Sequence, residues 1–506
     1  MKKVKRMLAL LAAFALVLAM SVPALADGVT HQLKVKASGT NHTYKVYQIF
    51  TGEMSTNEAE AKVLSNVKWG KNGTKKTGDA VEAGILTALE SATGSDTQKL
   101  EVIKNYVNLN TDVFATLDSE NNYAANVPAG YYLVKDADNT LNGKDEAYTT
   151  FLVNVVGADV ELKPKSAKPS VNKFVQDEAA DRDIHSEDSD GWGKTADHAI
   201  NESFKFKLTA TLPQDVNFGA YETYKVQFTD TMSAGVTFES IDSVTVNGQN
   251  VTGYVCSATA GQAGGEWTLT INDIKSISGV NLNKGAEIVV VYKAHLNEKA
   301  YVNHEIGATT NENKVYLEYS NNPNASGELG KTPEENVWVF TYGVDNKKVK
   351  ATDYKPLAGA GFRLYTDAEC SHEVALIYDE TLSAYRPTKD KETGVEMKSA
   401  EGTGKFNIVG LDAGVYYMRE TTTPTGYNTC NDVTIVINAK HQKTESGSNV
   451  TFTEESSLGY TIENNAGTTL PSTGGMGTTV FYIVGGGLMA VAVVLLVTKK
   501  RMENKR

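Results

Sequence analysis

Hydrophobic and polar positions alternate with period two along several stretches of the chain. Phe206 to Leu212, Val244 to Val246 and Val433 to Ile437 each place every second side chain on one face, the pattern of a strand with one buried side. Glu287-Ile288-Val289-Val290-Val291-Tyr292 is a β-branched run that predicts a strand in a sheet interior. Asn247-Gly248, between Ser243–Val246 and Val251–Tyr254, predicts a tight hairpin, because both turn residues tolerate positive φ. Helical spacing is clear only early in the chain. Ala80, Ala83, Leu86 and Leu89 share one face, and Leu100, Ile103 and Val107 share another. The expected fold is therefore mainly β, with tandem Ig-like β-sandwich domains of which the first carries some helix.

Proline-marked segments divide the pattern. Lys163-Pro164-Lys165-Ser166-Ala167-Lys168-Pro169 is one boundary, and Asn321-Asn322-Pro323 to Thr332-Pro333 is the next. Together with the two ends they predict five parts: 1–26, 27–164, 165–335, 336–468 and 469–506. Residues 1–26 carry Lys2, Lys3, Lys5 and Arg6, an apolar run from Met7 to Met20, and Ala24-Leu25-Ala26. That order predicts a secretory signal peptide whose removal leaves Asp27 first. At the other end no charge occurs between Glu463 and Lys499. Val480 to Val497, flanked by threonines, predicts a transmembrane helix, and the basic tail from Lys499 to Arg506 belongs on the cytoplasmic side.

Composition narrows the chemistry. The 506 residues carry 49 basic and 61 acidic side chains, a formal charge of −12. The two ends hold four and five basic groups against none and one acidic, so the remaining exterior is close to −20. Such a chain repels nucleic acid and its own copies, and any polymer it forms is better served by covalent links than by weak surface attraction. Three cysteines exclude a disulfide-dense scaffold, and the eight histidines show no close ligand pairs. Asp177 to Asp190 is acidic, but its spacing fits no calcium loop and is read as a solvated loop; no metal site is expected. No nucleophile elbow or phosphate loop supports an enzyme, and no cofactor is expected.

Before the apolar C-terminal stretch stands Leu470-Pro471-Ser472-Thr473-Gly474. With the apolar segment and basic tail behind it, this end resembles the sorting signal of sortase substrates on Gram-positive cell surfaces. The resemblance implies cleavage between Thr473 and Gly474 and attachment to the wall. The third domain adds Val344–Val349, Pro356–Tyr365, Gly414–Thr421 and Tyr460–Asn464. These resemble the collagen-adhesin B-type (Cna B-type) domain of Gram-positive adhesins and pilins. In that family a lysine and an asparagine form a spontaneous isopeptide bond promoted by a carboxylate. The matching positions are Lys348, Asn464 and Glu420, with Lys347 a rival to Lys348, since only one of two adjacent strand residues points inward. The middle domain repeats the logic around Asn172-Lys173-Phe174, Thr229-Asp230-Thr231 and Asn311-Glu312-Asn313. Resemblance to the middle domain of shaft pilins implies a Lys173–Asn313 bond with Asp230 as the proton-handling carboxylate and Asn311 as the rival partner.

The chemistry asks for these residue types. A protonated lysine is a poor nucleophile; burial in an apolar sandwich lowers its pKa and raises that of a neighbouring carboxyl. The neutral amine can then attack the asparagine carbonyl while the acid, hydrogen-bonded to that carbonyl, moves protons as ammonia leaves. Folding supplies the proximity.

Val160-Glu161-Leu162-Lys163-Pro164-Lys165 resembles the pilin motif, whose lysine attacks the sortase acyl-enzyme and joins subunits. Lys165 takes that place, with Lys163 and Lys168 as rivals. Secretion permits a disulfide between Cys370 and Cys430. The resemblance implies a shaft (backbone) subunit of a pilus that supports adhesion at the cell surface. Its implied partners are a pilin sortase, further copies of itself, peptidoglycan through a housekeeping sortase, minor pilins and an adhesion ligand. The alternative is a monomeric wall-anchored adhesin or a minor tip or base pilin.

Overall fold

The computed structural model describes residues 28–36, 41–92, 96–164, 168–177, 191–214, 218, 221–302, 311–323, 327–468 and 477–503. The expected signal peptide, Lys165 and the segment Leu470–Gly474 lie outside the described residues.

Strands dominate, as the period-two pattern predicts. In the first unit a three-stranded sheet runs in the order Ala124–Pro128, Thr30–Val35, Val160–Leu162. It packs against a sheet ordered Lys62–Trp69, Tyr44–Thr56, Gly130–Asp136, Thr150–Val155. Two short helices, Ala83–Ser91 and Asp96–Ile103, cover one end and bury Leu86, Leu89 and Ile103 against Trp69 and Phe50. The expected helical faces form in part: Ala80 precedes the first helix and bridges to Lys68, and Val107 lies beyond the second, where it bridges to Gly73.

The middle unit is a sandwich built around one long strand, Val226–Val246. Its first half pairs with Ala263–Ile271 and Glu312–Ser320; its second half pairs with Ala286–Leu296 in the opposite layer. Register shifts between Phe238 and Ser240 and between Ile241 and Ser243 mark the bend. The layer beyond Ala286–Leu296 continues through Ser203–Leu212 to Ser170–Gln176. Asn247-Gly248 forms the predicted hairpin turn, both residues at positive φ.

The third unit stacks a sheet ordered Leu376–Asp379, Ala384–Pro387, Ile408–Leu411, Tyr342–Lys350, Gly459–Asn464 on one ordered Glu373–Val374, Gly361–Tyr365, Gly414–Thr422, Val433–Ile437. Its first strand, Tyr342–Lys350, lies parallel to its last, Gly459–Asn464.

The expected boundary at 335/336 falls at the start of the strand Glu335–Phe340, which serves two cores. Its backbone belongs to the middle sheet, between Glu312–Ser320 and Thr195–Asp197. Val337 and Val339 point into the middle core, while Trp338 and Phe340 point into the third. A strand's two faces thus make the two units neighbours without a free linker. Ile200 adds a close contact: its backbone nitrogen donates to Gly410 O at 2.9 Å. A Cβ on Gly410, whose φ is +82°, would meet the Ile200 side chain at 2.5 Å.

Two expectations change. The C-terminal helix forms over Gly477–Glu503, but among the described residues no helix is long and apolar enough to cross a membrane. Cys370 and Cys430 do not pair; all three cysteines are free. Cys370 sits in an exposed turn at positive φ with its thiol toward Ala368 O, whereas Cys430 is half-buried beside Glu420. Cys256 packs at the edge of the middle core.

Because Trp338 fills the third core from a strand held in the middle sheet, Trp338→Ala is expected to lower the urea-unfolding free energy by about 3–5 kcal/mol. Val337→Ala should act on the middle unit instead. Intrinsic fluorescence and limited proteolysis would show which unit loosens first.

Candidate functional site

Two buried pockets collect the residues that the sequence singles out. In the middle unit, alternation along Ser170–Gln176 buries Val171, Lys173 and Val175 together. Lys173 is therefore carried inward by the strand period, into a wall made of Phe206 and Tyr292, whose ring centroids lie 5.3 and 5.6 Å from its Nζ. Asp230 and Asn313 point in from the opposite layer, on the paired strands Val226–Val246 and Glu312–Ser320. All three side chains are fully buried.

Lys173 Nζ donates to Asn313 Oδ1 at 2.6 Å and is in close contact with Asp230 Oδ2. Burial pushes the Lys173 amine down to about 8, against the pull of Asp230. Burial likewise raises Asp230, against the Lys173 ammonium. Both shifts favour the proton on the carboxyl and a neutral amine. Asn311, the rival, is committed elsewhere: its side chain accepts from Tyr301 N at 2.8 Å and donates to Tyr301 O at 2.9 Å.

One member of this pocket escaped the sequence reading. Tyr292 stands at the inward end of the β-branched run, and its hydroxyl lies 3.2 Å from Asp230 Oδ2, 3.3 Å from Lys173 Nζ and 2.6 Å from Asn313 Nδ2. It therefore links the acid to the amide nitrogen that would have to leave. The available signal was its place on the buried face with Ile288 and Val290, where a phenol needs a polar partner.

The third unit repeats the arrangement. Lys348 is buried and Lys347 is exposed, which resolves the register by the alternation of the strand. Lys348 Nζ donates to Asn464 Oδ1 at 2.5 Å, beneath the Phe362 ring at 5.3 Å. Asn464 Nδ2 donates to Glu420 Oε1 at 2.8 Å, and Lys348 Nζ lies 3.6 Å from the same oxygen. The backbone nitrogen of Cys430 donates to Glu420 Oε2 at 2.7 Å and fixes the carboxyl. Glu420 thus faces the amide nitrogen of Asn464 and not its carbonyl oxygen, the reverse of the expected contact.

The boundary lysines separate. Lys163 and Lys168 are both exposed, and Lys168 is ion-paired with Asp145 at 2.9 Å and Glu146 at 3.5 Å. In the first unit the buried Lys135 pairs with Asp138 at 2.8 Å, with no asparagine in the pair.

Parts of the chain have counterparts among known proteins. Residues 343–451 match the SpaA family model, a prealbumin-like fold domain, and residues 462–504 match the LPXTG cell wall anchor motif. The chain is a wall-anchored surface protein. Over 369 residues it is 24% identical to the trypsin-resistant surface T6 protein of Streptococcus pyogenes serotype M6. That match covers 60% of this chain and spans 65% of the relative's length. Among solved structures, the T6 backbone pilin of serotype M6 Streptococcus pyogenes superposes with a TM-score of 0.51 at 18% identity, covering 88% of this chain and all of that one. The full-length major pilin SpaD of Corynebacterium diphtheriae gives 0.45 at 17% identity, over 87% of this chain and 97% of the other. The chain of this wall-anchored protein has the fold of a backbone pilin.

Asn313→Ala leaves the Lys173 amine free in its pocket. In the unfolded chain that amine holds a proton up to about 10.4, and in the folded one only to about 8. Between these values the unfolded state binds more protons, so the variant's stability to urea is expected to rise with pH from about 8 to about 10.5, by a few kcal/mol. Urea titrations at four pH values across that window would show it.

Proposed function

We propose that this wall-anchored protein is the repeating shaft subunit of a covalent pilus, with sortase joining Thr473 of one copy to a lysine of the next. The observation that carries the reading is the repeated pocket: a buried lysine within 2.6 Å of an asparagine side-chain oxygen and beside a buried acid, once in each of two units. Ordinary cores do not bury a lysine next to a carboxyl twice without use.

In each pocket the neutral amine attacks the asparagine side-chain carbon. The bond from that carbon to Nδ2 breaks, and ammonia leaves with the proton that the lysine gives up. In the middle unit Tyr292 relays this proton from Asp230 to the departing nitrogen; in the third, Glu420 touches that nitrogen directly. The reaction runs once in each folded unit, without turnover. The bonds would close segments of 140 and 116 positions. By analogy with disulfide loops, each removes on the order of 5 kcal/mol of unfolded-chain entropy.

Lys165 is the joining lysine in this reading. Lys168 is already ion-paired, and Lys163 remains an exposed alternative. Sortase cuts between Thr473 and Gly474 of the anchor motif, and the wall receives the last subunit through a housekeeping sortase. The alternative, a monomeric adhesin or a minor pilin, shares the anchor but needs no acceptor lysine.

Two measurements test this. Intact mass of the secreted chain should fall ~34 Da below the sequence value, with ~17 Da restored by Lys173→Ala and ~17 Da by Lys348→Ala; an unshifted mass rejects the internal bonds. Cell-wall extracts should give an SDS-resistant ladder that collapses to a single band in Lys165→Ala. A ladder that persists in that variant and disappears in Lys163→Ala would move the junction to Lys163, and a single wild-type band would favour the monomeric adhesin.

A further inference from the structure

A third buried polar cluster lies where the middle and third units meet, away from both lysine pockets. Asp177 follows the strand Ser170–Gln176, and Asp197 ends the strand Thr195–Asp197, opposite Phe340 of the shared strand. His441 comes from the other side, on the hairpin strand Ala439–Thr444 of the third unit. The three are 7%, 1% and 0% exposed.

His441 Nε2 stands 3.6 Å from Asp177 Oδ2 and 3.6 Å from Asp197 Oδ2, and the three ligand atoms lie within 4.8 Å of one another. Those gaps are too long for good hydrogen bonds. They are the gaps between donor atoms around one ion, since tetrahedral bonds of about 2.1 Å separate the donors by roughly 3.4 Å. The surroundings orient the set. His441 Nδ1 lies 2.9 Å from Thr195 Oγ1, which aims Nε2 at the carboxylates, and the Tyr342 hydroxyl donates to Asp197 Oδ2 at 2.8 Å. The second oxygen of Asp197 is buried with no hydrogen-bond partner. The carboxylates of Asp177 and Asp197 share this dry seam with His441, with His198 and Asp412 close by, and a cation between the two carboxylates and His441 would answer their charge.

We propose that Asp177, Asp197 and His441 bind one divalent transition-metal ion of the zinc or manganese class. Imidazole with carboxylates suits these ions; calcium takes six to eight oxygens and would reject the nitrogen. Two ligands belong to the middle unit and one to the third, so the ion is held only when the hairpin is docked, and binding it locks the seam.

The test uses the full-length chain in detergent, stripped with chelator and titrated by calorimetry with Zn²⁺ and, separately, with Mn²⁺. At least one of the two should bind at one equivalent per chain. Asp197→Asn and His441→Ala should each weaken that affinity at least ~10-fold. Hydrogen exchange in residues 439–444 should slow on adding the ion in the wild type and stay unchanged in His441→Ala. If His441→Ala loses its near-UV circular dichroism, His441→Gln replaces it, keeping a polar side chain of similar reach. Absence of stoichiometric uptake, uptake equal in wild type and variants, or binding of Ca²⁺ in preference to both ions would overturn the proposal. None of these outcomes depends on whether the lysine pockets cross-link.

Discussion

A lysine amine shut away from water is the constraint around which the middle and third units are arranged. Burying an ammonium without compensation costs several kcal/mol, and a core accepts it only by neutralising the amine or surrounding it with partners. Around Lys173 both happen. The carboxyl of Asp230 stands beside it, burial draws the proton toward that carboxyl, and Asn313 and Tyr292 complete the contacts. The same conditions make an amine nucleophilic and place an amide carbonyl within reach. Stability before reaction and reactivity thus have one cause, and the expense of burying the charge ends if the amine becomes an amide.

The strand framework follows from that need. In the middle unit the lysine reaches across the sandwich, with its strand in one layer and its partner's in the other. Ser170–Gln176 and Glu312–Ser320 are so placed because the long strand Val226–Val246 bends from one layer to the other and brings them together. In the third unit the geometry is simpler, since the first and last strands are parallel neighbours. The strand Glu335–Phe340 then joins the units through the main chain, with Val337 and Val339 in one core and Trp338 and Phe340 in the other. A joint of this kind resists bending better than a solvated linker, because bending it would expose apolar surface on both sides.

Much of this was legible in the residues. Period-two alternation located the strands and Asn247-Gly248 marked its hairpin, whereas the proline-marked segment 321–333 holds the strand Leu329–Lys331 of the middle sheet. The lysine, asparagine and acid sets came from family resemblance and were then found together; Lys348 over Lys347 follows from which strand face is buried, and Asn313 over Asn311 from the hydrogen bonds that tie Asn311 to Tyr301. What was not legible depends on packing between distant segments. Tyr292 carried an inward-facing signal but no indication of its partners, which are 119, 62 and 21 positions away. The orientation of Glu420 is set by the backbone of Cys430, a contact that no spacing rule encodes. His441 lies 246 positions from Thr195, and only the docking of two units puts it beside Asp177 and Asp197. Cys370 and Cys430 show the converse error: a compartment that permits disulfides says nothing about whether two turns face each other.

The charge of the exterior gives these features a common direction. With acidic groups in clear excess, copies of this protein approach one another against repulsion that weakens only with salt. A fibre assembled by surface complementarity would have to overcome that repulsion at every junction and would loosen whenever ionic strength fell. A fibre whose junctions and internal ties are amide bonds is indifferent to it, and the same negative charge then helps by keeping neighbouring fibres apart. The buried seam carries the argument one step further. Its acids cannot be relieved by solvent, so where the chain does need a non-covalent joint, between its own middle and third units, it sets a histidine against two carboxylates inside an apolar shell.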